Sequence, residues 1–204
     1  MAIKLHIGNA GGQMDDLEQD IREAFRLAKD AALKRFEVEG VDIFVFRSDF
    51  GVIKELGFGG FTASENTIFC YIGKNIKSID KKRLSSILLH ELHHAKRDSE
   101  VGYGETLGEA LVSEGLACLL EEEYLGDTPI YSEEKLGDTV IARAKKEQDA
   151  KQYDHDAWFY GTADLPRWAG YTLGYDLCKK YADKNSKSAG ELTKTHASEI
   201  LALL

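Results

Sequence analysis

The sequence predicts an α+β fold with a small N-terminal sheet and a mostly helical C-terminal half. Runs rich in β-branched and aromatic residues fall early, at 3–7, 41–46 and 67–72. From residue 84 onward, apolar residues recur mainly at helical spacing. No repeat, low-complexity tract or long linker interrupts the 204 residues, a length that suits one domain with an ample core. The expected organisation is a single domain over residues 1–204, with a cleft between an N-terminal α/β part and a C-terminal helical part.

Residues 1–7 alternate as a half-buried strand does, and residues 14–36 follow as an amphipathic helix with Leu17, Ile21, Phe25, Ala28, Ala32 and Phe36 inward. Strands at 41–46 and 67–72 make at least three, separated by a glycine-rich connection over 51–62. Gly57, Gly59 and Gly60 do not make a phosphate loop, because no Gly-Lys-Ser/Thr follows and no strand–helix frame surrounds them. Residues 84–96 read as a helix, with Leu84, Ile87, Leu88, Leu92 and Ala95 at helical spacing and Asp80 as its N-cap. A second helix covers 104–120. The turn Gly126-Asp127-Thr128-Pro129 ends it and leaves Glu121-Glu122-Glu123 as a solvated helix end. Beyond lie a charged helix over 132–151, a helix from Asp164 to about Lys180 and a last helix within 188–204. Asp164 is the N-cap of the middle one and Pro166 stands in its first turn.

Chemistry concentrates in His90-Glu91-Leu92-His93-His94, an H-E-x-x-H pattern on the 84–96 helix. Residues four apart share a helix face, so His90 and His94 can offer two imidazole nitrogens to one Zn²⁺ while Glu91 lies beside its open position. Zinc lowers the pKa of bound water from 15.7 to about 7, and the carboxylate takes the proton as that water attacks a carbonyl. Three of the six histidines crowd into these five positions, and buried imidazoles without partners are costly. His93 is the surplus one, expected in an outer-shell, substrate-facing or solvent role.

A catalytic zinc needs a third protein ligand. On the 104–120 helix, Leu107, Ala110, Leu111, Ala117 and Cys118 surround Glu114, so this acid interrupts an apolar face. Glu109 is rotated roughly 140° away, on a more polar side with Glu105 and Ser113, and solvent is its expected partner. For the donor that stabilises an oxyanion, Tyr171 is favoured over Tyr175 and Arg167 on the same helix, with the core reading of either tyrosine kept open. His155 and His196 are expected at the surface or otherwise satisfied.

His90, Glu91, His94 and, twenty residues further on, Glu114 resemble the glutamate-ligand zincins, the gluzincin group that includes thermolysin-like peptidases. Three blocks narrow this: His90-Glu91-Leu92-His93-His94, Leu107-Gly108-Glu109-Ala110-Leu111-Val112-Ser113-Glu114-Gly115-Leu116-Ala117, and Pro166-Arg167-Trp168-Ala169-Gly170-Tyr171-Thr172-Leu173-Gly174-Tyr175. Together they resemble the DUF2268 family of predicted zinc-dependent proteases. The resemblance implies a zincin-like fold with a small sheet, an active-site helix and a glutamate helix, and it implies proteolysis. By the same resemblance, the strand at 67–72 is expected at the edge of the cleft, where an extended peptide adds to the sheet. One position departs: where many gluzincins carry an Asp four residues after the ligand Glu, this chain has Cys118. The groups that orient the imidazoles must come from elsewhere.

Composition excludes more than it selects. A net charge of −9 with scattered lysines and arginines argues against nucleic acid. No stretch approaches the ~18 apolar residues of a membrane helix, and the start lacks a signal-peptide core, so a cytoplasmic protein is expected. Cys70, Cys118 and Cys178 are odd in number and set in apolar surroundings, which favours reduced core thiols. The expected function is a zinc-dependent metallopeptidase with one Zn²⁺ per chain, acting on a peptide or protein substrate. His90, His94 and Glu114 are the ligands, Glu91 the general base and then acid, and Tyr171 the oxyanion donor. Two rivals keep the same residues: a zinc hydrolase of a non-peptide amide or ester, and a non-catalytic zinc-stabilised interaction protein, against which the intact Glu91 speaks.

Overall fold

The computed structural model describes residues 2–162 and 164–204. Met1, with which the first alternating run begins, lies outside the described residues. The chain divides into two compact units, residues 1–99 and 100–204.

The first unit is a four-stranded mixed sheet with helices. Its strands are β1 (Lys4–Ile7), β2 (Asp42–Arg47), β3 (Phe58–Ser64) and β4 (Thr67–Ile72), and its helices are α1 (Glu18–Leu33) and most of α2 (Lys81–Val101). The strand order is β1-β2-β4-β3. β1 and β2 are parallel, joined through α1 as parallel neighbours must be, and β2 and β4 are parallel in turn. β3 returns antiparallel along β4 and forms an edge. Alternation assigns one face of the sheet to the core: Ile43, Val45, Ile68, Cys70 and Ile72 are fully buried. The alternate residues build an aromatic face, in which His6 stacks on Phe44 and the rings of Phe46, Phe69 and Tyr71 meet. Arg47 ties loops together, donating to the carbonyls of Gln13, Gly73 and Ile76.

Three expectations change here. The first helix is shorter than residues 14–36: Asn9 Oδ1 accepts from the Met14 amide at 2.7 Å and holds residues 10–17 in turns, although Met14 and Leu17 are buried all the same. The glycine-rich connection contains a strand, β3. Its glycines are not loop punctuation but places where neighbours crowd the backbone: a Cβ on Gly59 would collide with the Gly51 carbonyl, and one on Gly60 with the Glu91 side chain. Finally, the strand at 67–72 is interior, paired on both sides, so it cannot be the edge; β3 is.

α2 starts as expected, with Asp80 Oδ1 accepting from the Arg83 amide at 3.1 Å. Leu84, Leu88, Leu89, Leu92 and Ala95 are fully buried. Lys81 anchors the helix start to Glu23 of α1 at 2.8 Å.

The second unit is helical. It holds α3 (Leu107–Leu125), α4 (Asp138–Glu147), α5 (His155–Tyr160), α6 (Ala169–Asn185), α7 (Ala197–Leu201) and 3-10 turns at Ile130–Ser132 and Ala189–Leu192. α3 is apolar nearly all round, as a helix surrounded by others must be. It opens with a capping box, in which Thr106 and Glu109 satisfy each other's backbone amides, and it closes on Gly126 in the left-handed conformation at φ 84°. α6 crosses it at Gly115 and Gly174, where a Cβ on either glycine would strike the other helix's backbone.

The C-terminal boundaries depart from expectation. The charged segment 132–151 forms a helix only over Asp138–Glu147, because Ser132 is buried in the 3-10 turn and Gly137 starts the helix afresh. α5 was not foreseen. Asp164 does not cap α6, since it is held by Arg143 at 2.8 Å; α6 begins after Trp168, a non-glycine residue at φ 65°. The acid run at 121–123 is not a solvated end. Glu121 is 2% exposed and accepts from the Tyr131 hydroxyl, Glu122 pairs with Lys179 at 2.6 Å, and Glu123 accepts from the Ala189 amide. Among the described residues, no helix is long and apolar enough to cross a membrane.

Candidate metal centre

Helical geometry sets His90 and His94 one turn apart on α2, and both are buried. Their Nε2 atoms lie 3.0 Å from one another, with the rings inclined at 76°. Two nitrogens bound to one tetrahedral zinc at 2.0–2.1 Å stand roughly 3.3 Å apart. The pair therefore fits a shared ion.

Glu91, between them in sequence, turns toward β3. Its Oε2 accepts from the Thr62 hydroxyl at 2.7 Å, and its Cγ and Oε1 fill the space where a Cβ on Gly60 would sit, at 2.5 and 2.6 Å. Neither Thr62 nor Gly60 was foreseen; the signal was a glycine pair in a β-capable run, which reads equally well as a loop. Burial, reinforced by the Glu91 charge, raises the Tyr71 hydroxyl and the Cys70 thiol above their ordinary values. His93 is completely buried and meets the Phe36 ring edge-on at 5.9 Å, so the solvent and substrate-facing roles expected for it are overturned.

In the second unit, Glu114 is 7% exposed on α3 among fully buried Leu111, Ala117 and Cys118. The hydroxyl of Tyr103 donates to its Oε1 at 2.6 Å. Tyr103 was missed by the sequence reading; the glycines on either side of it, Gly102 and Gly104, were the available signal. Glu109 is not solvated as expected. It is the acid of the α3 capping box, accepting from the Glu105 and Thr106 amides, both at 2.9 Å. Its partial burial alone would raise the carboxyl, but these hydrogen bonds outweigh that and leave its pKa below the ordinary value.

Tyr171 packs between Tyr131 at 5.2 Å and Phe159 at 5.0 Å, ring centre to ring centre. Burial and then the Glu114 charge push its hydroxyl well above the ordinary tyrosine pKa. Tyr153 feels the same two influences more weakly. Tyr175 is committed elsewhere, accepting from Lys179 at 2.9 Å, and Arg167 lies over the Trp168 ring at 3.9 Å. His155 stacks on Phe159 and His196 is exposed, as expected of each. The three cysteines are buried and none of them forms a disulfide.

An α+β protein whose helix brings two buried imidazole nitrogens this close has a group that could hold a metal ion. The chain belongs to the DUF2268 family, described as "Predicted Zn-dependent protease", whose profile matches residues 21–202. It is similar to "Uncharacterized protein YjfC" of Bacillus subtilis (strain 168), with 25% identity over 166 residues, covering 72% of this chain and 54% of that protein. The chain thus spans about half the length of the curated relative it matches. No solved structure matches it.

Proposed function

We propose that the protein is a zinc-dependent metallopeptidase in which His90, His94 and Glu114 hold one zinc ion and Glu91 acts as general base, then general acid. The observation that carries this reading is the pair of Nε2 atoms 3.0 Å apart on α2, with the carboxylate of the intervening Glu91 held by Thr62 of β3. Membership of a family described as predicted zinc-dependent proteases supports it. Glu114 is the third ligand because it is a buried acid set among apolar neighbours on α3, whereas Glu109 is committed to the cap and the buried Glu121 accepts from the Tyr131 hydroxyl.

When bound, zinc supplies Lewis acidity, bringing the pKa of a water to about 7 and polarising a carbonyl. Glu91, which accepts from the Thr62 hydroxyl at Oε2, takes the proton of the attacking water and returns it to the departing amine. Tyr171 is the oxyanion donor: a tyrosine hydroxyl is protonated near neutral pH and able to donate, and Glu114 is among the groups whose charge this hydroxyl feels. The substrate is an extended peptide that adds to the edge strand β3. Three buried cysteines outside any disulfide fit a reducing, cytoplasmic setting.

A peptide library incubated with metal-verified protein tests the reading. The wild type is expected to carry about one zinc per chain and to cleave. Glu91→Gln is expected to keep its zinc and lose turnover by ~10²-fold or more. A mutant that cleaves at the wild-type rate, or full activity after exhaustive chelation, ends it.

A further inference from the structure

We propose that Tyr103 is a positioning residue for Glu114: its hydroxyl occupies Oε1 and so presents Glu114 to zinc through Oε2 alone. The proposal rests on the reading of Glu114 as a zinc ligand. Its geometry lies within residues 100–204 and is set by the turn that leads into α3. Tyr103 stands between Gly102 at φ 79° and Gly104 at φ 97°, two left-handed positions that side-chain-bearing residues rarely adopt. The turn packs closely on the start of α3. A Cβ at Gly104 would collide with Glu109, and Glu109 is itself fixed by the amides of Glu105 and Thr106.

From this anchored position the Tyr103 hydroxyl donates to Glu114 Oε1 at 2.6 Å, a charge-assisted hydrogen bond across eleven residues of sequence. Such a bond selects one rotamer of the carboxylate. It also offsets part of the cost of a charge that is only 7% exposed among apolar neighbours. Of the other tyrosines near Glu114, Tyr153 has its hydroxyl 3.3 Å from His155 Nδ1, and the Tyr171 ring packs between those of Tyr131 and Phe159.

Zinc affinity, measured by chelator competition on the full chain, tests this with Tyr103→Phe, Glu114→Ala and the double variant. Tyr103→Phe is expected to weaken zinc binding by ~10- to 100-fold, the usual effect of losing an outer-shell partner, and to change the visible absorption of the cobalt-substituted protein. Added to Glu114→Ala, it should have no further effect, because its target is gone. If Tyr103→Phe binds zinc as the wild type does while Glu114→Ala is weakened, Tyr103 has no positioning role and Glu114 stands as ligand. Additive losses in the double variant would make Tyr103 a merely structural residue and overturn the proposal too. Should Glu114→Ala keep wild-type affinity, the ligand assignment itself falls. The unmutated protein gives an independent readout: the zinc-minus-apo infrared difference spectrum is expected to show the wide carboxylate splitting of one-oxygen ligation, and the narrow splitting of two-oxygen ligation would overturn the proposal.

Discussion

Gly60 serves Glu91 by lacking a side chain. The backbone of β3 comes so close to the carboxylate that any Cβ would press on Glu91 Cγ and Oε1, and the buried carboxylate would have to move aside. Gly60→Ala is therefore expected to reduce turnover by ~10²-fold, the penalty of a misplacement near 1 Å. Zinc content should be unchanged, and the overpacking should cost about 1–3 kcal/mol of stability. Elemental analysis beside a peptide-cleavage assay checks this; wild-type turnover in the variant would show that Glu91 does not need its present position. At this scale the sequence made the shared helix of His90, Glu91 and His94 and the burial of Glu114 legible, since one helical turn fixes the spacing of the first three and apolar neighbours surround the fourth. Thr62, Gly60 and Tyr103 were not legible. Each acts across a separation of eleven or more residues, and no local period encodes such a contact.

Among the elements, the α3–α6 crossing shows how small residues govern helix placement. Gly115 and Gly174 let the two backbones touch, and around Gly174 the obstacles are the Leu111 carbonyl and the Gly115 amide, neither of which can swing away as a side chain can. Gly174→Val is expected to cost about 3 kcal/mol or more, the upper end of overpacking, with a lowered urea midpoint and an unchanged slope. A midpoint within error of the wild type would mean that the helices separate freely. The long helices were legible because their apolar periodicity is strong, and the exit of α3 because Gly126 marks it. The boundaries that failed are those where a tertiary contact overrides local chemistry. Asp164 has the side chain of an N-cap, but Arg143 claims it, and β3 is a strand despite its glycines because crowding by Gly51 and Glu91 requires them.

For the molecule as a whole, acid is the direction of weakness. Glu109, Glu122 and Glu191 all have folded-state pKa values below the ordinary one. Burial works against the first two but is outweighed by hydrogen bonds; for Glu191 the Ser188 amide leads. A carboxyl lowered by folding contributes stability above its unfolded pKa, near ~4.3, and loses that contribution as pH falls through the folded value. In metal-free protein, where ligand protonation plays no part, the melting temperature is expected to hold down to about that pH and then fall. Glu109→Gln should show a shallower fall, read by circular dichroism at stepped pH; an identical acid limb would remove Glu109 from this account. The buried thiols provide a different kind of handle. Burial raises Cys70 and Cys118 far from the reactive thiolate, and Cys178 donates to the Val112 carbonyl. All three are chemically silent until the chain opens around them. Because Cys70 lies within residues 1–99 and the other two within 100–204, alkylation followed by mass spectrometry turns them into native clocks, each timing the opening of its own unit without any label being introduced.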